Sequence, residues 1–382
     1  MKPAGLAEVL ATFGPAYLAS HDLPRGTAKV WRAILACRTA ALGGHVESCT
    51  CCGMIRHVYH SCRNRHCPRC QTRTKEAWLA ARRREVLPVP YFHLVFTLPH
   101  ALNGLIGAAP RRLYENLFAA ASATLTEFAA SPRHLGGMPA FSLVLHTWQQ
   151  NLGRHVHVHA LVAGGALSDT GEWISPKKGF LFPVRALSKV FRGKFIAGLD
   201  DLRRQGHLPD FIDTLAWQVL KQDLYAHDWV VYAKQPLGGP QAVLEYLGRY
   251  THRVAISNER IIGIANGQVA FRVRADAEGK KRTLRFPGIE FIDRFLLHVL
   301  PSGFKRIRHY GLLSPARKKV GLAAARSALA VPPPEPAIIE SVAAFLCRVA
   351  RLESMCCPHC GGLFRITATL LPLRGATARG PP

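Results

Sequence analysis

Acidic residues are scarce in this chain of 382 residues, with 24 Asp and Glu against 50 Lys and Arg, so the formal net charge is +26. A soluble protein with this excess of positive charge usually binds a polyanion, and nucleic acid is the commonest one. The sequence also lacks an uninterrupted apolar run of about eighteen residues, so no transmembrane helix is expected. Its 48% of hydrophobic residues excludes disorder throughout and suffices for two or three domains.

The eleven cysteines are clustered, with seven between positions 37 and 70 and four between 347 and 360. In a chain with no predicted export signal, such clusters indicate metal ligands before disulfides. Two Cys-x2-Cys pairs that are 14 residues apart predict one closed, structural zinc site. Its four ligands would be Cys49, Cys52, Cys67 and Cys70.

Three neighbours leave this ligand set open: Cys51, Cys62 and His66 could each substitute or bind a second ion. A further pair, Cys357 and Cys360, has no evident partner in the sequence. Arginines surround the first block, and phosphate contact is a better explanation for them than a solvated basic face. The DNA-binding candidates there are Arg63, Arg65 and Arg69.

The pattern of apolar residues along the chain predicts a hairpin of two strands, at 141–148 and 155–162, preceded by a buried strand at 91–97. Asn266-Gly267 is the strongest short hairpin signal, between strands at 261–264 and 269–273. We expect three parts: a zinc-binding DNA-recognition domain over 1–90, a catalytic domain over 91–320, and a Pro-rich linker with a Cys-x2-Cys tail over 321–382.

Histidines alternate along the second strand of the predicted hairpin, at His155, His157 and His159. Alternate residues share one face of a strand, so these imidazoles favour a shared cation. Gln150, through its amide oxygen, is the first choice for a third ligand. His146 is the runner-up and Gln149 also stays open, because the hairpin register is not fixed by sequence. Such a site suits Mg²⁺ or Mn²⁺ with a substrate phosphate, although imidazoles alone would not exclude Zn²⁺.

Tyr246 and Tyr250 are four residues apart, which places both phenols on one face of a helix. Such a pair is usually core packing, but cations surround this one: Arg249 and Arg253 are adjacent, and Lys234 lies on the preceding strand. A phenol that attacks phosphate needs activation by nearby cations, a base or a metal, because its pKa is roughly 10. We therefore predict that the tyrosines are nucleophiles and that these three cations contact DNA.

Together these features resemble the HUH two-tyrosine rolling-circle transposases of bacterial insertion sequences. The resemblance extends from about Cys37 to Cys360 and includes the stretch YLGRYTHRVAIS at 246–257. The other stretches that carry it are 61–71, 96–99, 145–148, 229–234 and 296–311.

The resemblance implies an α+β fold with a central antiparallel sheet and flanking helices (HUH endonuclease-like), preceded by a small four-cysteine zinc-binding domain. It also implies a cytoplasmic, nucleoid-associated transposase that nicks and joins single-stranded DNA at element ends and target through a 5′-phosphotyrosine. The catalytic ion would be Mg²⁺ or Mn²⁺ and the structural ion Zn²⁺. No nucleotide cofactor or membrane is expected, and the sequence has no GxxxxGK[ST] loop.

Three other interpretations use parts of the same pattern. A replication initiator or relaxase would share the chemistry. A non-catalytic zinc-knuckle DNA-binding regulator would not need the tyrosines to react, and a zinc hydrolase would use only the histidine cluster.

Overall fold

The computed structural model describes residues 3–177, 181–237, 242–243, 248, 255–273, 282–334 and 356–373. The helices in this part of the chain are α1 (Leu6–Ser20), α2 (Arg25–Ala36), α3 (Gln71–Arg83), α4 (Asn103–Ala108), α5 (Pro110–Ala130), α6 (Val184–Arg204), α7 (Thr214–Ala226), α8 (Gly288–Leu296) and α9 (Lys318–Ala328). The strands are β1 (Gly44–Cys49), β2 (Ile55–Tyr59), β3 (Tyr91–Thr97), β4 (Met138–Trp148), β5 (Arg154–Leu167), β6 (Trp173–Ile174), β7 (Val231–Leu237), β8 (Ile261–Ala265), β9 (Gln268–Val273), β10 (Arg282–Pro287), β11 (Ile307–Gly311) and β12 (Phe364–Leu370).

The central sheet has the strand order β11-β4-β5-β3-β7, with β6 paired to β5, and its described pairs are all antiparallel. The predicted hairpin is its middle, β4 and β5, and the predicted strand at 91–97 is β3. Both middle strands are buried along most of their length. The expected α+β class with a central antiparallel sheet is confirmed.

One face of the central sheet packs on α5 and α6. Val156, Val158 and Val162 of β5 point into this core, where they meet aromatic side chains from both helices such as Phe118 and Phe191. Burying each of these large side chains stabilises the fold by roughly 1.5–3 kcal/mol. The alternating residues of β5 must therefore point to the opposite face, and these are the histidines.

One end of that opposite face is apolar, and α9 packs against it. Tyr91 of β3 and Leu161 of β5 pack there with Leu312 and Leu322. The other end of the same face carries the histidine cluster. A packed end therefore fixes the sheet while the polar end stays available for a site.

A second sheet, in the order β10-β9-β8, packs against the N-terminal helices. Its β8–β9 turn is the predicted Asn266-Gly267 hairpin, and both residues have positive φ, 50° and 71°. This is the backbone that a two-residue hairpin of the mirror-image type requires. Phe271 of β9 and Phe291 of α8 share a core with Leu10 of α1.

The third sheet has the order β12-β1-β2, so it combines the two ends of the chain. Gly44 pairs with Leu370 at one end of β1, and Cys49 pairs with Phe364 at the other. A strand from the predicted C-terminal tail thus joins two strands of the predicted first domain. The boundaries at 90 and 320 stay predictions. None of the described helices has the length and apolar character needed to cross a membrane.

Candidate active site and metal centres

A cluster of three imidazoles lies on the polar end of the central sheet. The β4–β5 register places His146 opposite His157 and Val144 opposite His159. Nε2 of His159 is 3.1 Å from Nε2 of His157 and 3.0 Å from Nδ1 of His146. His146 and His159 are buried, and His157 is half-buried. Three ring nitrogens therefore converge on one point that is accessible from one side.

The separations of these nitrogens fit one bound metal ion. Nitrogens about 2.0–2.1 Å from a common ion lie roughly 3 Å apart at tetrahedral or octahedral angles, and those observed are 3.0 and 3.1 Å. Three imidazoles that face one another gain most by sharing a cation, since protonated rings would repel each other. The residues present therefore suit a divalent ion with three neutral ligands.

Neighbouring groups contact the outer nitrogens of two of these rings. Nδ1 of His157 donates to the backbone carbonyl of His155 at 3.0 Å, so a neutral ring presents its bare Nε2 to the cluster. Burial, together with the charge of His155, lowers the pKa of His157 to about 4 and keeps the ring neutral at pH 7. Nδ1 of His159 lies 2.9 Å from Nε2 of the buried His93 on β3. These are the outer contacts that orient metal-binding histidines in proteins.

His93 was not predicted as part of the site. The available signal was a lone histidine in the otherwise apolar strand β3, which pairs directly with the histidine strand β5. Predicting the position of His93 required knowledge of the β3–β5 pairing, which lies outside the hairpin that the sequence predicts.

The structure places His146, the alternative third ligand, at the histidine cluster. Gln150 lies in the exposed turn beyond the ends of β4 and β5, where its backbone carbonyl accepts from Arg260 at 2.6 Å. His146 is directly opposite His157 in the ladder. The turn occupies residues 149–153, so Gln150 lies beyond the paired residues of the two strands. His146, the alternative ligand, lies at the cluster.

The two tyrosines lie outside the described residues, as do two of the cations predicted to serve them. Tyr246, Tyr250, Arg249 and Arg253 therefore stay predictions. The backbone of Lys234 belongs to β7, where it pairs with His93 of β3. The strand that carries Lys234 is thus adjacent to the strand that supports the histidine cluster.

The predicted zinc site is divided between two cysteine clusters, which corrects the predicted ligand set. Cys67 and Cys70 group with Cys62, one of the alternatives left open by the sequence, and with Cys37, which was not predicted. Cys49 and Cys52 group with the C-terminal pair. The two sets are Cys37, Cys62, Cys67 and Cys70, and Cys49, Cys52, Cys357 and Cys360.

The β1–β2 hairpin explains this division. Cys49 ends β1, and Cys52 lies in the turn of the hairpin. The cluster with Cys67 and Cys70 lies at the open end of the hairpin, where Gly44 pairs with Tyr59. The six residues of β1 at about 3.3 Å each separate the two ends by roughly 17–20 Å. Cys-x2-Cys spacing predicts pairs of ligands, but it does not say which pairs meet.

The cluster of Cys37, Cys62, Cys67 and Cys70 is buried and fits a closed zinc site. Sγ of Cys70 is 3.5 Å from Sγ of Cys37 and 3.6 Å from Sγ of Cys62. Thiolates about 2.3 Å from one tetrahedral zinc lie roughly 3.8 Å apart. Hydrogen bonds among these thiols lower the pKa of Cys70 and raise the pKa values of Cys62 and Cys67, so Cys70 most readily becomes the thiolate that binds metal.

Two of the three predicted DNA-binding arginines near this cluster contact the protein itself. Arg65 donates to the backbone carbonyls of Phe304 and, at 2.9 Å, Pro301. Arg69 pairs with Glu8 and donates to the carbonyl of Cys37 at 3.2 Å. Arg63 is exposed, with a positive φ of 53°. All three stay predictions as DNA contacts.

Two family models match successive segments of the chain. One, described as "Transposase zinc-binding domain", matches residues 9–98, and the other, "Putative transposase", matches residues 140–320. "Putative transposase y4qJ" of Sinorhizobium fredii is 43% identical over 389 residues, covering 99% of this chain and 97% of the relative. The chain belongs to this transposase family. The "Transposase for insertion sequence element IS801" of Pseudomonas savastanoi pv. phaseolicola is 28% identical, covering 74% of the transposase and 68% of the relative.

Solved structures of the conjugative relaxase TrwC also match. The metal-free complex with oriT DNA is 13% identical, covers 63% of the transposase and 72% of the relaxase, and has a TM-score of 0.24. The complex with mutant oriT DNA is 14% identical, covers 62% and 72%, and has a TM-score of 0.23. The family expected from the sequence is confirmed by the sequence relatives, and it includes a zinc-binding domain.

Proposed function

We propose that this transposase nicks and joins single-stranded DNA at element ends by rolling-circle chemistry, through a 5′-phosphotyrosine intermediate. His146, His157 and His159 would hold the catalytic ion, and Tyr246 and Tyr250 would be the nucleophiles. The observation that carries the proposal is the convergence of three imidazole nitrogens, 3.0 and 3.1 Å apart, in a chain of the transposase family.

The imidazoles suit phosphate because they are neutral. A carboxylate ligand would repel the scissile phosphate, and the described cluster consists of histidines alone. A bound Mg²⁺ or Mn²⁺ would bind a phosphate oxygen and stabilise the negative charge that develops in the transition state. The half-buried His157 marks the side from which DNA would approach.

The tyrosines would perform the bond exchange. The phenolic oxygen of Tyr246 or Tyr250 attacks the phosphorus in line, the bond from phosphorus to the 3′ oxygen breaks, and the phenolic proton ends on that oxygen. One strand end is then a 5′-phosphotyrosine and the other a free 3′-OH. The phosphodiester energy is kept in the protein–DNA bond, so no nucleotide is consumed. The second tyrosine would cleave or accept the other strand.

Single-stranded DNA is the proposed partner because the chain combines positive charge with exposed aromatics. The net charge of +26 favours a polyanion. Tyr232 on β7 is half exposed, in the strand next to β3, and could stack on a base. The zinc-binding region over 1–90 would recognise the element end, with the exposed Arg63 as a phosphate contact, and residues 91–320 would carry the chemistry.

The test is a covalent adduct. The whole protein is incubated with Mn²⁺ and a labelled single-stranded oligonucleotide of the element end, and a denaturing gel is scanned for a labelled protein band. We expect an adduct in the wild type, loss in the double variant Tyr246→Phe/Tyr250→Phe, and reduction in His146→Ala and His159→Ala. Tyr225→Phe on α7 and His207→Ala just after α6, both at exposed positions, are the matched controls and should leave the adduct unchanged.

The same gel separates the competing functions. A regulator would bind the oligonucleotide without an adduct, and a hydrolase would cut it without one. An adduct that persists in the double tyrosine variant would show that another residue is the nucleophile. Gln150→Ala tests the ligand predicted from the sequence. A loss of adduct as large as that in His146→Ala would indicate that Gln150 binds the ion.

A further inference from the structure

We propose that Cys49, Cys52, Cys357 and Cys360 form a second structural zinc site, which holds the C-terminal strand β12 against β1. This cluster lies at the end of the small sheet where Cys49 pairs with Phe364. Cys357 and Cys360 lie beyond both of the segments that match transposase family models. The site would therefore extend the zinc-binding domain to a segment more than 300 positions away, since Cys52 and Cys357 are 305 apart.

The sulfur positions fit a four-thiolate zinc ion. Sγ of Cys49 is 3.5 Å from Sγ of Cys360, and Sγ of Cys52 is 3.6 Å from Sγ of Cys357. All four sulfurs lie within 4.8 Å of one another. Thiolates about 2.3 Å from one tetrahedral ion lie roughly 3.8 Å apart, whereas a disulfide needs about 2.05 Å. The two close pairs each join one N-terminal and one C-terminal cysteine.

The two cysteine loops have the same backbone conformation. In the first, the amide of Cys49 donates to the carbonyl of Met54 at 2.8 Å, and the amide of Gly53 donates to the carbonyl of Cys49 at 3.1 Å. In the second, the amide of Cys357 donates to the carbonyl of Gly362 at 2.7 Å, and the amide of Gly361 donates to the carbonyl of Cys357 at 2.8 Å.

Each loop also has its glycine at the same place, directly after the second cysteine. Gly53 has a φ of 74° and Gly361 a φ of 73°, a backbone that residues with a Cβ rarely adopt. Two loops 300 positions apart thus share one conformation, and they place their four sulfurs around one point. Chance clustering of free cysteines does not account for this symmetry.

Backbone amides of the first loop favour a thiolate. They point at Sγ of Cys49, as shown by the amide of Cys51 at 3.4 Å. Zinc binds the thiolate form, and amides that donate to the sulfur stabilise its negative charge.

The small sheet needs such an ion because it has almost no apolar core. In its strands and loops, over residues 44–59 and 356–370, the buried positions are Gly44, Cys49 and Cys357. Apolar side chains such as Ile55 and Ile366 are 63% and 64% exposed. A small sheet that buries so little apolar surface usually depends on a disulfide or a metal.

Cadmium-113 NMR of the whole protein tests the proposal, because a cadmium ion bound by four thiolates has a resonance distinct from that of an ion bound by histidines. The wild type should show two four-thiolate signals. Cys357→Ser/Cys360→Ser should lose one of them, and Cys62→Ser/Cys67→Ser should lose the other. In each variant the retained signal shows that the rest of the protein is folded. Cys51→Ser, adjacent to the site but outside it, should keep both.

A milder variant guards against local unfolding. Cys360→His keeps a zinc ligand, so one signal should move to the position of a site with three sulfurs and one nitrogen while the other stays. The proposal is overturned if the wild type has a single four-thiolate signal or if Cys357→Ser/Cys360→Ser leaves both signals. It is also overturned if mass spectrometry of peptides digested without reduction finds disulfides joining Cys49 to Cys360 and Cys52 to Cys357.

Discussion

In the central sheet, Phe96 and Phe141 are fully buried against α5 and α6, whereas in the small sheet β12-β1-β2 the apolar Ile55 and Ile366 are mostly exposed. The first sheet therefore forms a stable frame by hydrophobic burial and can carry a cluster of polar histidines on one face. The small sheet has cysteines where an apolar core would be. The comparison shows two ways in which a polar cluster is related to the stability of a fold. The histidine cluster is held in place by a stable sheet, whereas the small sheet is itself stabilised by its cysteine cluster.

Removing zinc should produce the largest difference in stability between the two sheets. Treating the whole, reduced protein with a strong chelator is expected to abolish hydrogen-exchange protection over residues 44–49 and 364–370, because structural zinc supplies apparent free energies of about 10–16 kcal/mol to small thiolate domains. The strands at 138–148 and 154–167 should stay protected. Mass spectrometry of exchanged peptides measures both. Equal loss in the two sheets, or no loss in either, would contradict the comparison.

Truncation of an apolar side chain should destabilise the central sheet strongly and the small sheet hardly at all. Phe118→Ala removes a fully buried ring from the core under the central sheet, and it is expected to lower the free energy of unfolding by about 3–5 kcal/mol. Ile366→Ala on β12 is the matched truncation at an exposed site and should change it by no more than about 0.5 kcal/mol. Urea unfolding followed by far-UV circular dichroism gives both values, and similar values would refute the contrast.

The smallest effect is expected from a residue that orients a ligand without touching the ion. His93→Ala removes the partner of His159 Nδ1 and should weaken Mn²⁺ binding about 10–100-fold, without unfolding the central sheet. His93→Gln keeps a side-chain amide in that place and should restore part of the affinity. Calorimetric titration with Mn²⁺ measures both. If neither variant changes the affinity, His93 has only a packing role.

The sequence was sufficient for the parts of the fold that depend on local patterns. Alternating apolar residues predicted β4 and β5, and Asn266-Gly267 predicted the β8–β9 turn because only certain residues tolerate its positive φ angles. His157 and His159 could be paired from spacing alone, because neighbours two apart on a strand share a face.

Long-range pairing was beyond the sequence. The choice of His146 over Gln150 depends on the register between β4 and β5, and the role of His93 depends on the pairing of β3 with β5. The division of the cysteines depends on β12 returning to β1 from the far end of the chain. Cys-x2-Cys spacing marks a ligand pair but says nothing of its partner pair. The sequence therefore predicted one four-cysteine site where the structure groups the cysteines in two clusters.

Pulsed electron paramagnetic resonance of the Mn²⁺-bound transposase tests the central claim most directly, because it detects the nuclei that contact the ion. The account predicts coupling to the nitrogens of three imidazoles in the wild type and of two in His146→Ala, since His146, His157 and His159 converge on one point. Addition of a single-stranded oligonucleotide of the element end should add a phosphorus coupling. Mn²⁺ with no imidazole coupling, or with coupling unchanged in His146→Ala and no phosphorus signal, would contradict it.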